Sequence, residues 1–299
     1  MIQSWIRLAS VVLLCIACGS TLAAADATAK RHAATGMVLR VDVSHRLLDV
    51  SCDEIPNYMS AMEMPFKVRD AKTASGLKPG TKISFSMVEE GKTLYADDIH
   101  VETTAVFEPE PIEAGGLTAL HKALNPAMAA KAVQIGQPVS EFVLTDQTGR
   151  QVRFSEFEGK VVALTFGYSR CPNPTYCYRL SNNLAQVYKQ LRSRAERDLV
   201  LLTIAIDPEH DQGEALVQYA AAFKADPKVW HFLTGPVPEI QDVAAMFGMN
   251  FWSNEGLITH SLHTVIVDRH GKLAVNLEGN QFTGRQLSDL VRSVMDRPS

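Results

Sequence analysis

Val161-Val162-Ala163-Leu164-Thr165-Phe166-Gly167-Tyr168-Ser169-Arg170-Cys171-Pro172-Asn173-Pro174-Thr175-Tyr176-Cys177 is the stretch on which the reading of this chain turns. An apolar run ends at Tyr168, two cysteines follow with five residues between them, and a helical pattern runs from Pro174 to Arg194. Two thiols at a strand-to-helix turn sit where a helix N-terminus favours thiolate, so the pair can bind a soft metal or cycle through a disulfide. Asn173 is a good N-cap and Pro174 a good first helical residue, which puts Cys177 in the first turn and leaves Cys171 on the preceding loop. A disulfide needs Cα atoms roughly 4.4–6.8 Å apart, which a loop with two prolines permits without dictating, while a metal tolerates more slack. On these residues alone, metal and electrons both stand.

Working outward, strand runs alternate with helical ones: Val161 to Gly167, Leu199 to Ile206, Gly213 to Phe223, Glu239 to Phe247, Thr264 to Val267 and Arg285 to Met295. That rhythm predicts an α/β layer fold over 135–299. Residues 102–134 read as a linker, with Phe107-Glu108-Pro109-Glu110-Pro111, Gly115-Gly116 and an alanine-rich stretch from Ala119 to Ala132. Before it, alternating runs at Met37 to Val43, Leu47 to Val50, Phe66 to Val68, Lys82 to Val88 and Thr93 to Ala96 are separated by turn signals such as Lys78-Pro79-Gly80. They predict a small all-β barrel.

Met1 to Ala25 reads as an export signal: Arg7, an apolar stretch from Leu8 to Ala17, then Ala23-Ala24-Ala25. A second reading ends the signal before Cys18, which would then carry a lipid and tether the protein to a membrane. The apolar run falls short of the roughly 18 residues a spanning helix needs. A net charge of −4 over 299 residues gives no broad basic surface, which argues against nucleic acid as a partner. Of five cysteines, Cys52, Cys171 and Cys177 lie beyond the signal. An odd number in an exported protein leaves at least one thiol outside an intramolecular pair, and metal binding is one way to keep it reduced.

In the β segment, Cys52-Asp53-Glu54-Ile55-Pro56-Asn57-Tyr58-Met59-Ser60-Ala61-Met62-Glu63-Met64-Pro65-Phe66 gathers one thiol and three thioethers, with Met62 and Met64 on one face of a strand. Soft donors suit monovalent copper and suit magnesium or calcium poorly, although methionine is more often core filler. The segment from Ile55 to Phe66 resembles the metal-binding signature of the CusF-like periplasmic copper-binding proteins. The resemblance implies an OB-like barrel over 36–101, Met62 and Met64 as copper ligands, Cys52 where the family has a histidine, and Met59 in the region of a capping tryptophan.

The second half resembles the SCO/SenC family of thioredoxin-like copper proteins. The matching residues are Gly136-x-Pro138, Phe157-Glu158-Gly159-Lys160, Phe166 to Pro172, Ile206-Asp207-Pro208-Glu209-His210-Asp211, Phe232-Leu233-Thr234-Gly235 and His260-Ser261. The resemblance implies a thioredoxin-like fold and one copper, Cu(I) and on the same donors Cu(II), held by Cys171, Cys177 and His260. The implied role is assembly of the dinuclear copper centre of cytochrome c oxidase. The partner would be its copper-receiving subunit or another periplasmic copper protein. The family's usual spacing is Cys-x3-Cys, so this chain departs from it by two residues. His263 is a rival to His260 that belongs more naturally to the following strand. Asp207, at a strand end, is expected either to orient His260 or a thiol, or only to open a turn. Three classes follow: a two-site copper metallochaperone, a thiol-disulfide oxidoreductase cycling Cys171 and Cys177, and a peroxidase. The last is disfavoured because neither cysteine carries the Pro-x3-Thr-x2-Cys pattern. The methionine-rich barrel favours metal over electrons, with about two Cu(I) expected per chain.

Overall fold

The structure, a computed structural model, describes residues 30–102, 132–254 and 256–298. The expected leader, with Cys18, and nearly all of the expected linker lie outside the described residues.

The N-terminal part is a barrel of five strands, β1 (Lys30–Asp42), β2 (Leu47–Cys52), β3 (Met62–Lys67), β4 (Lys82–Glu90) and β5 (Thr93–Val101). They close in the order β1-β2-β3-β5-β4, which fits the OB-like expectation. β1 makes closure possible because it is long enough to pair with β2 from Gly36 onward and with β4 from Lys30 to Met37. It starts well before the apolar run that announced it, since Lys30 to Thr35 carry no apolar alternation and pair through backbone bonds. Ala34 and Val38 face the barrel core with Val50, Phe66, Ile83, Phe85 and Met87. Met37 and Leu39 face the other way and are buried in the core of the C-terminal part. One short helix, α1 (Ala71–Ser75), is capped by the Asp70 carboxylate, which accepts from the Lys72 N–H.

The C-terminal part holds a seven-stranded sheet in the order β14-β13-β8-β9-β10-β6-β7. Its centre is β8 (Val161–Gly167) and β9 (Leu199–Ala205), parallel and buried along their whole length, as expected of strands covered on both faces. β10 (Trp230–Thr234) continues in parallel; β13 (His263–Val267), β14 (Leu273–Glu278), β6 (Val143–Asp146) and β7 (Gln151–Arg153) extend the edges antiparallel. Alternate residues of β8 go to opposite cores. Val161 and Ala163 pack with α2 (Cys177–Gln190), α3 (Gly213–Ala222) and α5 (Gly284–Met295). Val162, Leu164 and Phe166 pack with α4 (Val237–Met246). A separate hairpin, β11 (Phe251–Asn254) with β12 (Leu257–His260), stands off this sheet. This is the expected thioredoxin-like α/β layer fold. β6, β7, β10, β14 and the hairpin went unread because runs of three to six residues hold too few periods to declare a strand.

The two parts touch along α5 and at the turn before β4. Gly80 has φ +90°, and a Cβ there would lie 2.5 Å from Leu277 Cδ2, so only glycine allows this turn to approach β14. No helix among the described residues is long and apolar enough to cross a membrane.

Candidate metal centre

β8 ends at Gly167, and the chain then turns through Ser169-Arg170-Cys171 before entering α2. A Cβ on Gly167 would lie 3.2 Å from Cys177 Cβ, so glycine lets the first residue of α2 settle against the strand end. The helix begins at Cys177 itself, with Tyr176 as N-cap, rather than at Pro174. Asn173 caps nothing in the helix: its Oδ1 accepts from Thr175 N–H at 2.9 Å and Thr175 Oγ1 at 2.7 Å, a local turn that competes with helix. The two extra residues between the cysteines therefore form a turn of their own, closed from the far side by Asn280, whose side-chain N–H bonds the Thr175 carbonyl.

The structure brings Cys171, Cys177 and His260 together. Cys177 is fully buried and Cys171 nearly so, both as free thiols. Cys177 Sγ lies 3.3 Å from His260 Nε2. His260 Nδ1 is 3.0 Å from the Ser261 carbonyl, which can only accept, so Nδ1 donates there and Nε2 faces sulfur. The Tyr168 ring stands edge-on to His260 at 6.0 Å, with its hydroxyl donating to the Ile258 carbonyl, so the hairpin bearing His260 is tied to β8. A hydrogen bond from the Cys177 thiol holds Cys171 well below the ordinary thiol range, overcoming burial, with His260 and the N–H groups of Cys177 and Asn173 adding to it. Cys177 is correspondingly pushed up by that hydrogen bond and by burial. Among the described residues no three His, Cys, Asp or Glu side chains are preset at the spacing of a closed metal site. These three are hydrogen-bonded neighbours, and an incoming soft cation would replace the proton between them. Two sulfurs and a neutral imidazole fit Cu(I) by donor chemistry.

Asp207 does not orient His260. Its carboxylate accepts from Arg170 Nη2 at 2.6 Å and lies 2.9 Å from His210 Nδ1; burial opposes ionisation, yet these bonds hold the group below the usual carboxylate range. It thereby fixes Arg170, the residue before Cys171. Asp211, which sequence reasoning passed over, does the same one residue earlier, accepting from the Ser169 N–H at 3.0 Å and from its hydroxyl. His263, the rival to His260, is buried in β13 with Nδ1 2.9 Å from Asn276 Oδ1.

In the barrel, the register Cys52↔Met62 and Val50↔Met64 puts these side chains on the inner face at one end. Met62 is half exposed, Met64 partly buried, and Cys52 only 1% exposed. Cys52 sits in the apolar core, and burial pushes its thiol up to about 12. Met59 is folded back by reciprocal backbone bonds with Ile55, made possible by Asn57 in the left-handed region at φ 61°. The adjacent Tyr58 stacks on His32 at 3.7 Å, and the His32 Nε2 is buried with no hydrogen-bond partner. No motif pointed to His32, because it lies on a strand the apolar pattern did not reach.

A thioredoxin-type sheet with a dithiol at the β8–α2 turn and a histidine facing it defines a thiol-based soft-metal protein. The particular family is shown by comparison: the SCO1/SenC family model matches residues 131–296, and the chain belongs to that family. The family model described as copper binding periplasmic protein CusF matches 31–101, so the barrel is a CusF-like domain fused ahead of it. An SCO2-like protein of Rickettsia typhi is 28% identical over 149 residues, 47% of this chain and 68% of that protein. The mitochondrial SCO2 homologue of Homo sapiens is 27% identical over 174 residues, 56% of this chain and 62% of its own length. The matched region thus spans about two thirds of these relatives. Among solved structures, Arabidopsis thaliana ScoI with copper bound is 25% identical, covering 55% of this chain and all of its own, with a TM-score of 0.47.

Proposed function

We propose that this protein is an exported copper metallochaperone, working in the periplasm and tethered, if at all, by a lipid on Cys18 or by its partner. In this reading Cys171, Cys177 and His260 hold one Cu(I), and Cys52, Met62 and Met64 hold a second in the barrel. The observation that carries it is the contact of 3.3 Å between Cys177 Sγ and His260 Nε2, beside a Cys171 thiol held low. Thiolate at Cys171 is already the protonation state a soft cation requires, whereas ligation by Cys177 releases the proton that sulfur holds. The acceptor is the copper-receiving subunit of cytochrome c oxidase or another periplasmic copper protein. Copper titration of the mature chain against a Cu(I) chelator tests this: about two equivalents are expected, one lost in Cys171→Ala and the other in Met64→Leu. Unchanged stoichiometry in both variants would sink it.

The acidity split also favours a second reading, thiol-disulfide exchange. A thiolate at Cys171 attacks a partner's disulfide, and Cys177 then gives up its proton and closes on Cys171, leaving the partner with two thiols. Copper affinity lost while disulfide reduction of an acceptor peptide persists would favour that role.

A further inference from the structure

The barrel's candidate ligands are held from outside by a helix of the other domain. α5 runs along β1 and β2, and its polar side chains reach residues flanking both ends of the donor segment. Arg285 donates from Nη2 to the carbonyl of Cys52 itself and from Nη1, at 3.0 Å, to Ser51 Oγ. The Ser51 hydroxyl donates to Asp289 at 2.7 Å, and Asp289 also accepts from Arg285 at 3.0 Å. Gln286 Nε2 donates to Asp53 at 2.9 Å, whose other oxygen takes the Thr35 hydroxyl at 2.7 Å. On the next strand, Arg292 lies 3.7 Å from Glu63, the residue between Met62 and Met64. Ser51 and Gln286 are fully buried and Asp289 is 5% exposed.

Burying so many polar groups is costly unless each is paired, and an apolar seam through Met37 and Leu39 already holds the two domains together. What the hydrogen bonds add is register. A guanidinium on the Cys52 carbonyl fixes that peptide plane, and through it the direction of the Cys52 side chain against Met62 across the ladder. We propose that Arg285, with Gln286, is a positioning residue for the barrel's soft-metal site, so that the C-terminal domain sets the metal affinity of its N-terminal neighbour. The same helix packs on α2, where Asn183 donates to the Phe282 carbonyl at 3.2 Å and Gly284 lies against Gln186. One helix therefore bears on the element that starts at Cys177 and on the hairpin that carries Met62.

This rests on the barrel binding Cu(I), and one experiment separates the two claims. The full chain, with Cys171→Ala and Cys177→Ala to silence the other site, is labelled with [methyl-13C]methionine and titrated with Cu(I) against a chelator. The Met62 and Met64 methyl signals report metal, and Met37 reports domain contact. Arg285→Ala is expected to weaken binding about 10–100-fold, as loss of an outer partner of a ligand does, with Arg285→Lys recovering part of it and Met37 unmoved. Gln286→Leu is expected to weaken it by a smaller factor. Affinity within about twofold of the parent in both variants overturns the proposal. So does a loss that appears only together with a displaced Met37 signal in both, which is plain packing. Met62 and Met64 signals that ignore Cu(I) in the parent overturn the barrel reading itself, and the positioning claim with it.

Discussion

Cys171 and Cys52 are the same side chain in the same protein, each beside other soft donors, and their surroundings drive them in opposite directions. Cys171 sits on the loop between β8 and α2, among a thiol donor, an imidazole and two backbone N–H groups, and its thiol is held well below the ordinary range. Cys52 closes a β-strand among Val50, Phe66 and Met87, with Asp53 as the next residue, and its thiol is pushed up to about 12. Nucleophilicity and metal binding both belong to the thiolate. A cysteine at a strand-to-helix turn is therefore ready to act, whereas a cysteine inside a barrel must first lose a proton its neighbours do not help to remove. The C-terminal site is built for exchange, and the barrel site leans on thioethers, which carry no proton.

The largest effect should come from Cys177→Ser. Removing the sulfur next to His260 should weaken Cu(I) at the C-terminal site by well over the roughly 10–100-fold that loss of an outer partner causes, measured by chelator competition. Affinity close to that of the parent would mean that proximity of the pair and the histidine has no bearing on copper. Alkylation by iodoacetamide comes next. At pH 7 Cys171 should react at least about 100-fold faster than Cys52 in the folded protein, and its rate should persist as pH falls toward 6 because its thiol titrates below that range. Mass-mapped labelling showing equal rates would erase the contrast between the two cysteines.

Proton release at Cys52 makes a smaller effect. If metal displaces that proton, barrel affinity should rise about tenfold per pH unit from 6 to 8, since the thiol titrates far above, and Cys52→Ser should flatten the slope. A flat profile in the parent would leave Met62 and Met64 as the donors and Cys52 as core. Smallest is Met64→Leu, where volume is conserved: thermal unfolding should register a cost below about 1.5 kcal/mol, while barrel Cu(I) affinity falls about tenfold. A large stability loss with intact affinity would assign Met64 to packing.

Much was legible in the chain because the informative signals are local. The apolar run of β8, the helical period of α2 and α5, and the alternation in β2 and β4 are short-range patterns that the fold respects. The start of α2 was misplaced because Asn173 and Pro174 have the right types for a cap, yet the Asn173 side chain is committed to Thr175, a choice between two local bonds that composition does not decide. Asp207 stood open between orienting His260 or a thiol and opening a turn for a similar reason. Its place at a strand end is a matter of sequence, but whether it meets His260 or Arg170 depends on which loop folds over it.

By itself the sequence determined the two modules, the donor chemistry of each and the adjacency of Cys171 and Cys177, because residue type, spacing and periodicity are one-dimensional. Only the tertiary structure decided that His260 turns Nε2 toward Cys177, that Cys52 is enclosed while Met62 is exposed, and that α5 bonds the backbone of Cys52. The first and last of these join residues 83 and 233 apart in the chain, and proton affinity and side-chain direction follow from what the fold brings against them.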